Sequence, residues 1–365
     1  MAEPLKVVVA MSGGVDSSVA AALLKEKGYA VIGIMLRLWS EPGKEDTNRC
    51  CTPDAMAIAR RVAARLEIPF YSLDAQKVFH DTVVNYFVRG YAQNTTPNPC
   101  LLCNRLIRWG FLLDYVRELG ADFLATGHYA QLDHSLPEAI HLIRGRDAAK
   151  DQSYVLYSLT QEQLRQTLFP LGDLTKPQVR SLAQHYNLPS AARPDSQDLC
   201  FLGATDYREF LVRRVPGINQ PGPIRNLQGT VLGTHQGLAF YTIGQRKGLG
   251  IPSPNPLYVL AKNNIDNTLV VGASQELGWY GLLINNAHWI SGSEPVLPER
   301  YQVKIRYKAK EAWAQLSLDA EQTIRVQFDH PIRDITPGQA AVIYNDKICL
   351  GGGIISSAVD PLIRI

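Results

Sequence analysis

The sequence has no long unbroken hydrophobic stretch and little excess charge of either sign. No run approaches the ~18 apolar residues that a membrane-spanning helix requires, and the N-terminus lacks the basic and then apolar order of a secretory signal. We therefore expect a cytoplasmic protein with no membrane partner. The formal net charge of +3 permits a polyanionic partner without requiring one, so evidence for nucleic acid has to come from local patches.

Cysteines are also scarce. Six of them in 365 residues are too few for a disulfide scaffold, and a reducing compartment disfavours permanent bridges. The thiols are therefore expected to be reactive or metal-binding, apart from those that only fill the core. We assign that packing role to Cys349 and, on weaker grounds, to the adjacent Cys50 and Cys51.

What is present is an ordinary globular composition, 46% apolar and 19% charged, in a chain too long for one hydrophobic core. Residues 1–204 alternate apolar runs with helical periodicity, which predicts a doubly wound α/β domain with a mostly parallel sheet. The composition changes at residues 216–229, which are rich in Pro, Gly and Asn and indicate a domain boundary. We predict a small central α+β module at 205–275 and a C-terminal β-barrel-like domain at 276–365.

The periodicity also predicts individual elements. In the first part they are the strands Lys6–Met11, Ala30–Leu36, Ile68–Leu73 and Asp122–Thr126, and the helices Ser17–Lys27, Pro53–Glu67, Val78–Tyr91 and Leu101–Leu119. Downstream they are the strands Thr268–Gly272, Tyr301–Ala309, Thr323–Phe328 and Ala340–Tyr344.

One of these strands is strongly basic. In "KIRYKAK" the alternation of a strand would place Lys304, Arg306, Lys308 and Lys310 on one face. Such a face suits either a polyanion or a sheet edge guarded by lysine, and the segment alone does not separate the two. Arg246 and Lys247, in a glycine-flanked loop, form a second candidate phosphate contact that would position a polyanion without reading its sequence.

The stretch "MSGGVDSS" lies between the first strand and the first helix. Glycines at 13 and 14 let backbone amides approach an anion closely at the positive end of the helix, so the pattern favours phosphate binding. The loop lacks the lysine of the commonest phosphate loop, and a capped tight turn is the plain alternative. It resembles the SGGxDS loop of ATP pyrophosphatases, which implies cleavage between the α and β phosphates, with Mg²⁺ and with Asp16 as a candidate metal contact.

The stretch "TPNPCLLCN" starts a helix that carries two thiols three residues apart. Cys100 and Cys103 share a helical face, and a helix N-terminus lowers thiol pKa values, so Cys103 is a candidate nucleophile. With Cys200 in "DLCF", three interpretations stand: packing residues, ligands of zinc or an iron–sulfur cluster, or a pair that carries and releases sulfur. The second CxxC or HxxxH of a strong zinc signal is absent from the sequence, and adenylation in the same domain favours sulfur transfer.

Six motifs in order along the whole chain resemble the tRNA-specific 2-thiouridylase family: SGGVDSS, PNPxxxCN, ATGHYA, KDQSY, DLCF and YTIGQRKGLG. The resemblance implies ATP-dependent 2-thiolation of the wobble uridine at tRNA position 34. It also implies a cysteine desulfurase or sulfur-relay protein as partner. One departure matters, because many relatives have aspartate where this chain has Cys100. That leaves the role of the position open and keeps an iron–sulfur cluster as the less favoured alternative.

The resemblance also implies residue roles. Cys103 matches the nucleophile, and Cys200 matches the persulfide-bearing cysteine that forms a transient disulfide with it. The matching ATP-binding positions are Ala10, Met11, Ser12, Gly13, Gly14, Val15, Asp16, Ser17, Leu36 and Gly127. Those contacting the target base are Asn98, Pro99 and Cys100, and those contacting tRNA are His128, Lys150, Asp151, Gln152, Arg306, Tyr307 and Gln339.

Two other functions remain open from the residues alone. An adenylating ligase or amidotransferase would use the same ATP loop with ammonia or an amine, and would have no need of Cys103 and Cys200. A non-catalytic RNA-binding protein is the second rival, and tRNA-stimulated conversion of ATP to AMP would exclude it.

Overall fold

A parallel sheet organises the N-terminal part of the protein. The computed structural model describes residues 3–43, 52–136, 139–195, 199–203, 205–319 and 323–362, so Cys50 and Cys51 lie outside it. The strands of this part are β1 (Lys6–Ala10), β2 (Ala30–Arg37), β3 (Phe70–Asp74), β4 (Phe123–Ala125), β5 (Ala130–Asp133), β6 (His141–Arg144) and β7 (Thr167–Leu168). Five of them pair in the order β3-β2-β1-β4-β7, all parallel.

The central strand is apolar on both faces, since Val7, Val8 and Val9 are fully buried. Such continuous burial is expected when helices cover both sides of a parallel sheet, and it confirms the doubly wound α/β prediction. The helices are α1 (Val15–Glu26), α2 (Pro53–Arg65), α3 (Gln76–Phe79), α4 (Asn85–Ala92), α5 (Pro99–Leu102), α6 (Leu113–Glu118), α7 (Gln161–Arg165) and α8 (Lys176–His185). π-helical segments join α3 to α4 (His80–Val84) and α5 to α6 (Cys103–Leu112).

A small module follows, with one helix and an open four-stranded sheet. The helix α9 (Tyr207–Arg214) precedes β8 (Gly222–Arg225), β9 (Val231–His235), β10 (Tyr258–Asn263) and β11 (Thr268–Gly272), which pair in the order β10-β11-β8-β9. This confirms the α+β prediction. The Phe210 ring of α9 packs against Phe87 of α4 and Trp39, so the module shares a hydrophobic cluster with the N-terminal helices.

The C-terminal part is a closed barrel. Its strands are β12 (Trp279–Trp289), β13 (Glu299–Lys304), β14 (Ala312–Leu318), β15 (Ile324–Ile332), β16 (Ala340–Asn345) and β17 (Ile348–Pro361). They pair in the order β12-β15-β14-β13-β16-β17, and the additional pairing of β12 with β17 closes the ring. The barrel prediction is therefore confirmed, and closure leaves these six strands without an open edge among themselves.

The barrel sheet also takes in two strands from the first third of the chain. β6 pairs antiparallel with β17, Leu142 opposite Cys349, and β5 continues the sheet beyond β6. Cys349 is buried there and packs in a cluster with Leu142 and Tyr344, which confirms its packing role. The domain limits 1–204, 205–275 and 276–365 stay a prediction, and 130–144 contacts the C-terminal sheet from within the first of them.

The predicted basic strand over 301–309 is wrong in its second half. β13 ends at Lys304, whose buried side chain lies 3.5 Å from Glu311. Arg306 is half-buried and donates a hydrogen bond to the carbonyl oxygen of Ile243. Only Lys308 and Lys310 of the four cations are exposed. Internal acceptors bind the other two, so the alternating basic face does not form.

No helix in the described parts of the chain is long and apolar enough to cross a membrane.

Closure of the barrel requires Gly351, and this yields a test. Gly351 has φ +142°, and a Cβ there would come 2.1 Å from the carbonyl oxygen of His288 on β12. We expect Gly351→Ala to cost roughly 2–4 kcal/mol, because strain and a backbone clash combine. Scanning calorimetry would register this as a lowered Tm.

Gly292→Ala is the matched control. Gly292 also has a positive φ, +82°, but a Cβ there meets open space. Its cost should be limited to about 1–2 kcal/mol of backbone strain. Equal losses in the two variants would contradict the role given to close packing between β12 and β17.

Candidate active site

The loop after β1 is built to hold an anion. Gly14 caps α1 in an extended conformation, and the N–H groups of the first helical turn face the loop. Ser18 Oγ donates to the Gly14 carbonyl at 2.8 Å, and Ser17 Oγ accepts from the Ser12 N–H at 3.2 Å. A Cβ at Gly13 would lie 2.4 Å from the Ala55 carbonyl oxygen, so only glycine fits there. The hydroxyls and close contacts fix the loop before any ligand arrives.

The predicted ATP-binding residues lie at the carboxyl ends of neighbouring strands. Ala10 ends β1, Leu36 lies one residue before the end of β2, and Gly127 follows β4. A Cβ at Gly127 would come 2.8 Å from the backbone of Asp16 and Ser17. β2 and β4 flank β1 on opposite sides, which is the position where doubly wound sheets open a ligand crevice.

Asp16, the candidate metal contact, is engaged by protein groups. Lys176 Nζ lies 2.8 Å from both carboxylate oxygens, and the Tyr129 hydroxyl donates to Oδ1 at 2.7 Å. Burial, followed by the charge of Asp16, raises the pKa of Tyr129 and keeps its proton on the hydroxyl. The described residues contain no group of three or more His, Cys, Asp or Glu side chains placed to hold a metal. The Asp16 carboxylate is thus already occupied by an ion pair and a hydrogen bond within the protein.

Further cations that sequence reasoning missed surround the loop. Arg193 Nη1 donates to the Gly13 carbonyl at 3.1 Å, and Lys176 also contacts Asp195 at 2.9 Å. Lys150, predicted to contact tRNA, lies 2.8 Å from the same Asp195. Lys176 is the first residue of α8 and is 160 positions from Asp16 in the sequence. The sequence around Thr175 predicts the start of a helix there, but it does not indicate that Lys176 contacts Asp16.

The cysteine-bearing helix starts at Pro99, two residues before the predicted Leu101. The Asn98 side chain accepts from the Cys100 N–H at 3.2 Å, and Pro99 occupies the first helical position. Cys100 is exposed, whereas Cys103 is half-buried in the second turn, where the π-helical segment begins. π-Helical segments are rare overall. Those that do occur are often found at functional sites, because they shift side chains out of the ordinary helical register.

Cys200 is half-buried beside Phe201, whose ring packs 5.8 Å from Phe79 and 5.3 Å from Phe87. Cys103 and Cys200 both flank this same hydrophobic cluster, which joins the N-terminal helices to the central module. Two cysteines that are almost a hundred positions apart in sequence thus pack against the same hydrophobic cluster.

His128 is buried, and neighbouring side chains engage both ring nitrogens. Arg108 Nη1 lies 3.1 Å from Nε2 and also donates to Asn104 Oδ1 at 2.9 Å. A guanidinium only donates, so Nε2 accepts and Nδ1–H donates to Thr126 Oγ1 at 2.7 Å. Burial and, second, the charge of Arg108 lower the pKa of His128 well below its ordinary value. Arg108 therefore connects the helix of Cys103 to the strand end that carries Gly127.

Other predicted tRNA contacts serve internal structure in this state. Asp151 is buried and accepts from the N–H groups of Gly145 and Ser153 at 3.0 and 3.1 Å. Gln152 Oε1 accepts from the Tyr129 N–H at 3.0 Å. Burial, with added repulsion from Asp151 and Cys100, raises the pKa of Tyr307. Gln152 is therefore connected to the ATP loop through Tyr129, whose hydroxyl donates to Asp16.

The barrel touches the cysteine loop directly. Gln339 Nε2 donates to the Thr96 carbonyl at 2.8 Å, and the Thr96 N–H donates to the Pro337 carbonyl at 3.0 Å. Thr96 lies two residues before Asn98, so the barrel holds the start of the cysteine helix in place. Gln339 is thereby placed beside the cysteine loop, whereas the half-buried Arg306 donates to Ile243 and Thr336.

Three protein-family models match consecutive parts of the chain. The model described as "tRNA methyl transferase HUP domain" matches residues 5–204, a PRC-barrel domain model matches 208–273, and an "Aminomethyltransferase beta-barrel domain" model matches 279–355. The tRNA-specific 2-thiouridylase MnmA of Moorella thermoacetica is 47% identical, over 96% of this chain and 99% of its own length. The chain belongs to the tRNA-specific 2-thiouridylase family. It is an enzyme of that family, and the resemblance seen in the six motifs is confirmed.

Other relatives agree in name and extent. The tRNA-specific 2-thiouridylase MnmA of Symbiobacterium thermophilum is 45% identical, over 97% of this chain and 93% of its own length, and that of Desulfitobacterium hafniense is 46% identical over 97% and 99%. Among solved structures, a 4-thiouridine synthetase in complex with RNA and ATP is 18% identical, over 58% of this chain and 50% of that one, with a TM-score of 0.37. That likeness is too weak to support an argument. The family rests on the full-length relatives.

The buried histidine gives a pH-dependent prediction. Because its folded pKa is lowered, the neutral ring stabilises the fold above about pH 6.5, and this stability is lost as pH falls below that value, where only the unfolded chain binds the proton. The loss is at most about 1.4 kcal/mol per pH unit for one group. We expect His128→Asn to flatten the fall in Tm between pH 6.5 and 5. The exposed His134→Asn should keep the wild-type slope, and equal slopes in all three proteins would refute the assignment.

Proposed function

We propose that the protein catalyses ATP-dependent 2-thiolation of the wobble uridine at tRNA position 34. One observation carries the proposal: both cysteine-bearing segments connect to the same phosphate-type loop. Arg193, seven positions before Cys200 in the sequence, donates to the Gly13 carbonyl. Asn104, adjacent to Cys103, accepts a hydrogen bond from Arg108, which also donates to His128. Gly127, next to His128, packs against the backbone of Asp16. The names of the full-length relatives support the substrate and product.

Adenylation is the first step. The C2 oxygen of uridine is a poor leaving group, so O2 attacks the α-phosphate of Mg–ATP and pyrophosphate departs into the loop of residues 12–17. The amides of that loop and nearby Lys176 stabilise the charge that develops on the phosphates. Gly127 and Leu36 border the same crevice and are the proposed nucleotide contacts. The wobble base is single-stranded, so it reaches the crevice without opening a duplex.

Sulfur transfer follows. A cysteine desulfurase or sulfur-relay protein loads Cys200 as a persulfide. The terminal sulfur attacks the electrophilic C2, and the Cys103 thiolate attacks the Cys200 sulfur, so that the S–S bond of the persulfide breaks and a Cys103–Cys200 disulfide forms. AMP leaves with the former O2, and a dithiol reductant returns both cysteines to thiols. In the alternative order, Cys103 first releases hydrosulfide from Cys200, and hydrosulfide attacks C2.

The tRNA is positioned by residues around the cysteine loop. Asn98, Pro99 and Cys100 are the proposed contacts of the target base, and exposed Cys100 lies near Tyr307. His128 and Asp151 are buried, so they act on tRNA through the neighbours that they hold in place. The remaining proposed contacts are Lys150, Gln152, Arg306, Tyr307 and Gln339. Exposed Lys308, Lys310, Arg246 and Lys247 add non-specific phosphate contacts.

The decisive experiment is reconstituted thiolation. Purified protein, prepared aerobically and anaerobically, is incubated with unmodified tRNA, Mg–ATP, cysteine and a cysteine desulfurase, and digested tRNA is analysed for 2-thiouridine by mass spectrometry. We expect 2-thiouridine together with AMP from both preparations. AMP without thiolated nucleoside would favour the amine-transferring rivals, and product from the anaerobic preparation alone would favour an iron–sulfur cluster at Cys100, Cys103 and Cys200.

Substitution of the two cysteines tests the relay. Cys103→Ser and Cys200→Ser should each lower the thiolation rate by at least ~100-fold, because a hydroxyl neither carries sulfane sulfur nor closes the disulfide. Cys349→Ala, in the barrel core, removes a thiol that the mechanism does not use and should retain thiolation in the folded fraction. Full persulfide-dependent activity of Cys200→Ser would show that the relay is wrong.

The position that departs from many relatives can be tested separately. If residue 100 only orients the base or moves a proton, Cys100→Asp should retain thiolation within about tenfold, since a carboxylate suits proton transfer. Cys100→Ala is the matched variant, because its side chain can neither transfer a proton nor supply sulfur. Abolition of activity in Cys100→Asp as well as in Cys100→Ala would mean that sulfur is required at this position.

A further inference from the structure

Thr96 lies just before the cysteine helix and is held between the barrel and the central module. On the barrel side, the Thr96 N–H donates to the Pro337 carbonyl at 3.0 Å, and Gln339 Nε2 donates to the Thr96 carbonyl at 2.8 Å. On the other side, the hydroxyl oxygens of Thr96 and Thr242 lie 3.4 Å apart. The entry to the cysteine helix is therefore gripped by segments from two different parts of the chain.

The guanidinium of Arg306 connects these two segments. Its Nη2 donates to the Ile243 carbonyl at 3.1 Å and also to the Thr336 hydroxyl. Ile243 directly follows Thr242, and Thr336 directly precedes Pro337. One side chain thus fixes the spacing between the segments on either side of Thr96. We call the two segments, residues 242–243 and 336–339, the helix clamp.

Close packing restricts the clamp further. Thr336 is buried, and its hydroxyl donates to the Asp334 carbonyl at 2.9 Å while it accepts from Arg306. A Cβ at Gly338 would lie 3.0 Å from the Thr96 backbone, and a Cβ at Gly244 would collide with the Asp334 carboxylate. These contacts leave the two segments little room to shift while the guanidinium holds them.

The two hydrogen bonds of Arg306 depend on its shape as well as its charge. Both acceptors bind the same nitrogen of a planar group whose N–H directions are fixed. A lysine would keep the positive charge, but its flexible ammonium group is not held in the orientation that reaches both acceptors. Substitution by lysine can therefore separate an attraction for phosphate from a hold on the clamp.

We propose that Arg306 is a positioning residue that, through the helix clamp, sets the place of Cys103 and of the base-contacting residues 98–100. The inference rests on the proposed function and gives Arg306 a second role besides its contact with tRNA. Displacement of a reacting group by about 1 Å can lower a rate about 100-fold. A loosened clamp should therefore slow thiolation more than it weakens tRNA binding.

The test compares Arg306→Lys and Thr336→Val with the wild-type full-length protein. Amide hydrogen exchange of the peptide spanning residues 95–103, measured without ligands, should become about fivefold faster or more in both variants, since a lost hydrogen bond shifts local opening by about that factor. In reconstituted thiolation, kcat should fall about tenfold or more while KM for tRNA changes by less than about threefold. Thr336→Val leaves Arg306 in place, so it keeps the test decisive if Arg306→Lys does not fold.

Thr234→Val is the matched control. Thr234 is exposed on strand β9 of the central module, so this change removes a hydroxyl outside the clamp and should leave the exchange rate, kcat and KM at wild-type values. Combining Arg306→Lys with Thr336→Val tests whether both act through one contact. The loss of kcat in the double variant should match that of a single variant rather than the product of the two losses.

The outcomes separate this proposal from the proposed function. Wild-type exchange of the 95–103 peptide in both Arg306→Lys and Thr336→Val would overturn the clamp even if the protein thiolates tRNA. A higher KM for tRNA with unchanged kcat in both variants would also overturn it, and would leave Arg306 as a tRNA contact alone. Faster exchange in both variants, with Thr234→Val unchanged, would support the clamp even if the reconstituted thiolation failed for every protein.

Discussion

The close approach of backbone to backbone around Gly13 is the constraint on which the rest of the site depends. A Cβ at Gly13 would meet the Ala55 carbonyl at 2.4 Å, and a Cβ at Gly127 would meet Asp16 and Ser17 at 2.8 Å. The loop is thus pressed between α2 and the end of β4, and its conformation is set before phosphate binds. Preorganisation of this kind removes the ordering cost from ligand binding and lets the amides stabilise a developing charge.

The three parts of the chain support different portions of the site. The parallel sheet supplies the crevice, and the barrel holds the cysteine helix through the contacts of Gln339 and Pro337 with Thr96. The central module shares the aromatic cluster that borders Cys103 and Cys200. Loss of either of the later parts would therefore remove a support of the site, even though neither contains the loop nor the two cysteines.

Much of the architecture could be predicted because periodicity is a local property. Helix α2 and strand β11 match their predicted positions closely, since one-sided apolar spacing and a run of β-branched residues each specify an element within a few residues. The alternating basic residues of 304–310 gave a wrong prediction, because their partners in the fold are not a local property of the sequence. The alternation of basic residues does not reveal that Glu311 lies close to Lys304, or that the Ile243 carbonyl accepts from Arg306. In the structure the strand ends at Lys304, and that side chain is buried.

The sequence by itself determined the fold class, the glycine-containing loop after the first strand, the presence of a helix that carries Cys103, and the family. These follow from short segments whose residue types limit the local backbone. Only the tertiary structure decided that Lys176 neutralises Asp16, that Asp195 pairs with both Lys150 and Lys176, and that His128 is buried against Arg108. Those pairings join residues 19 to 160 positions apart, and no local pattern encodes which distant partner a charge meets when the chain packs.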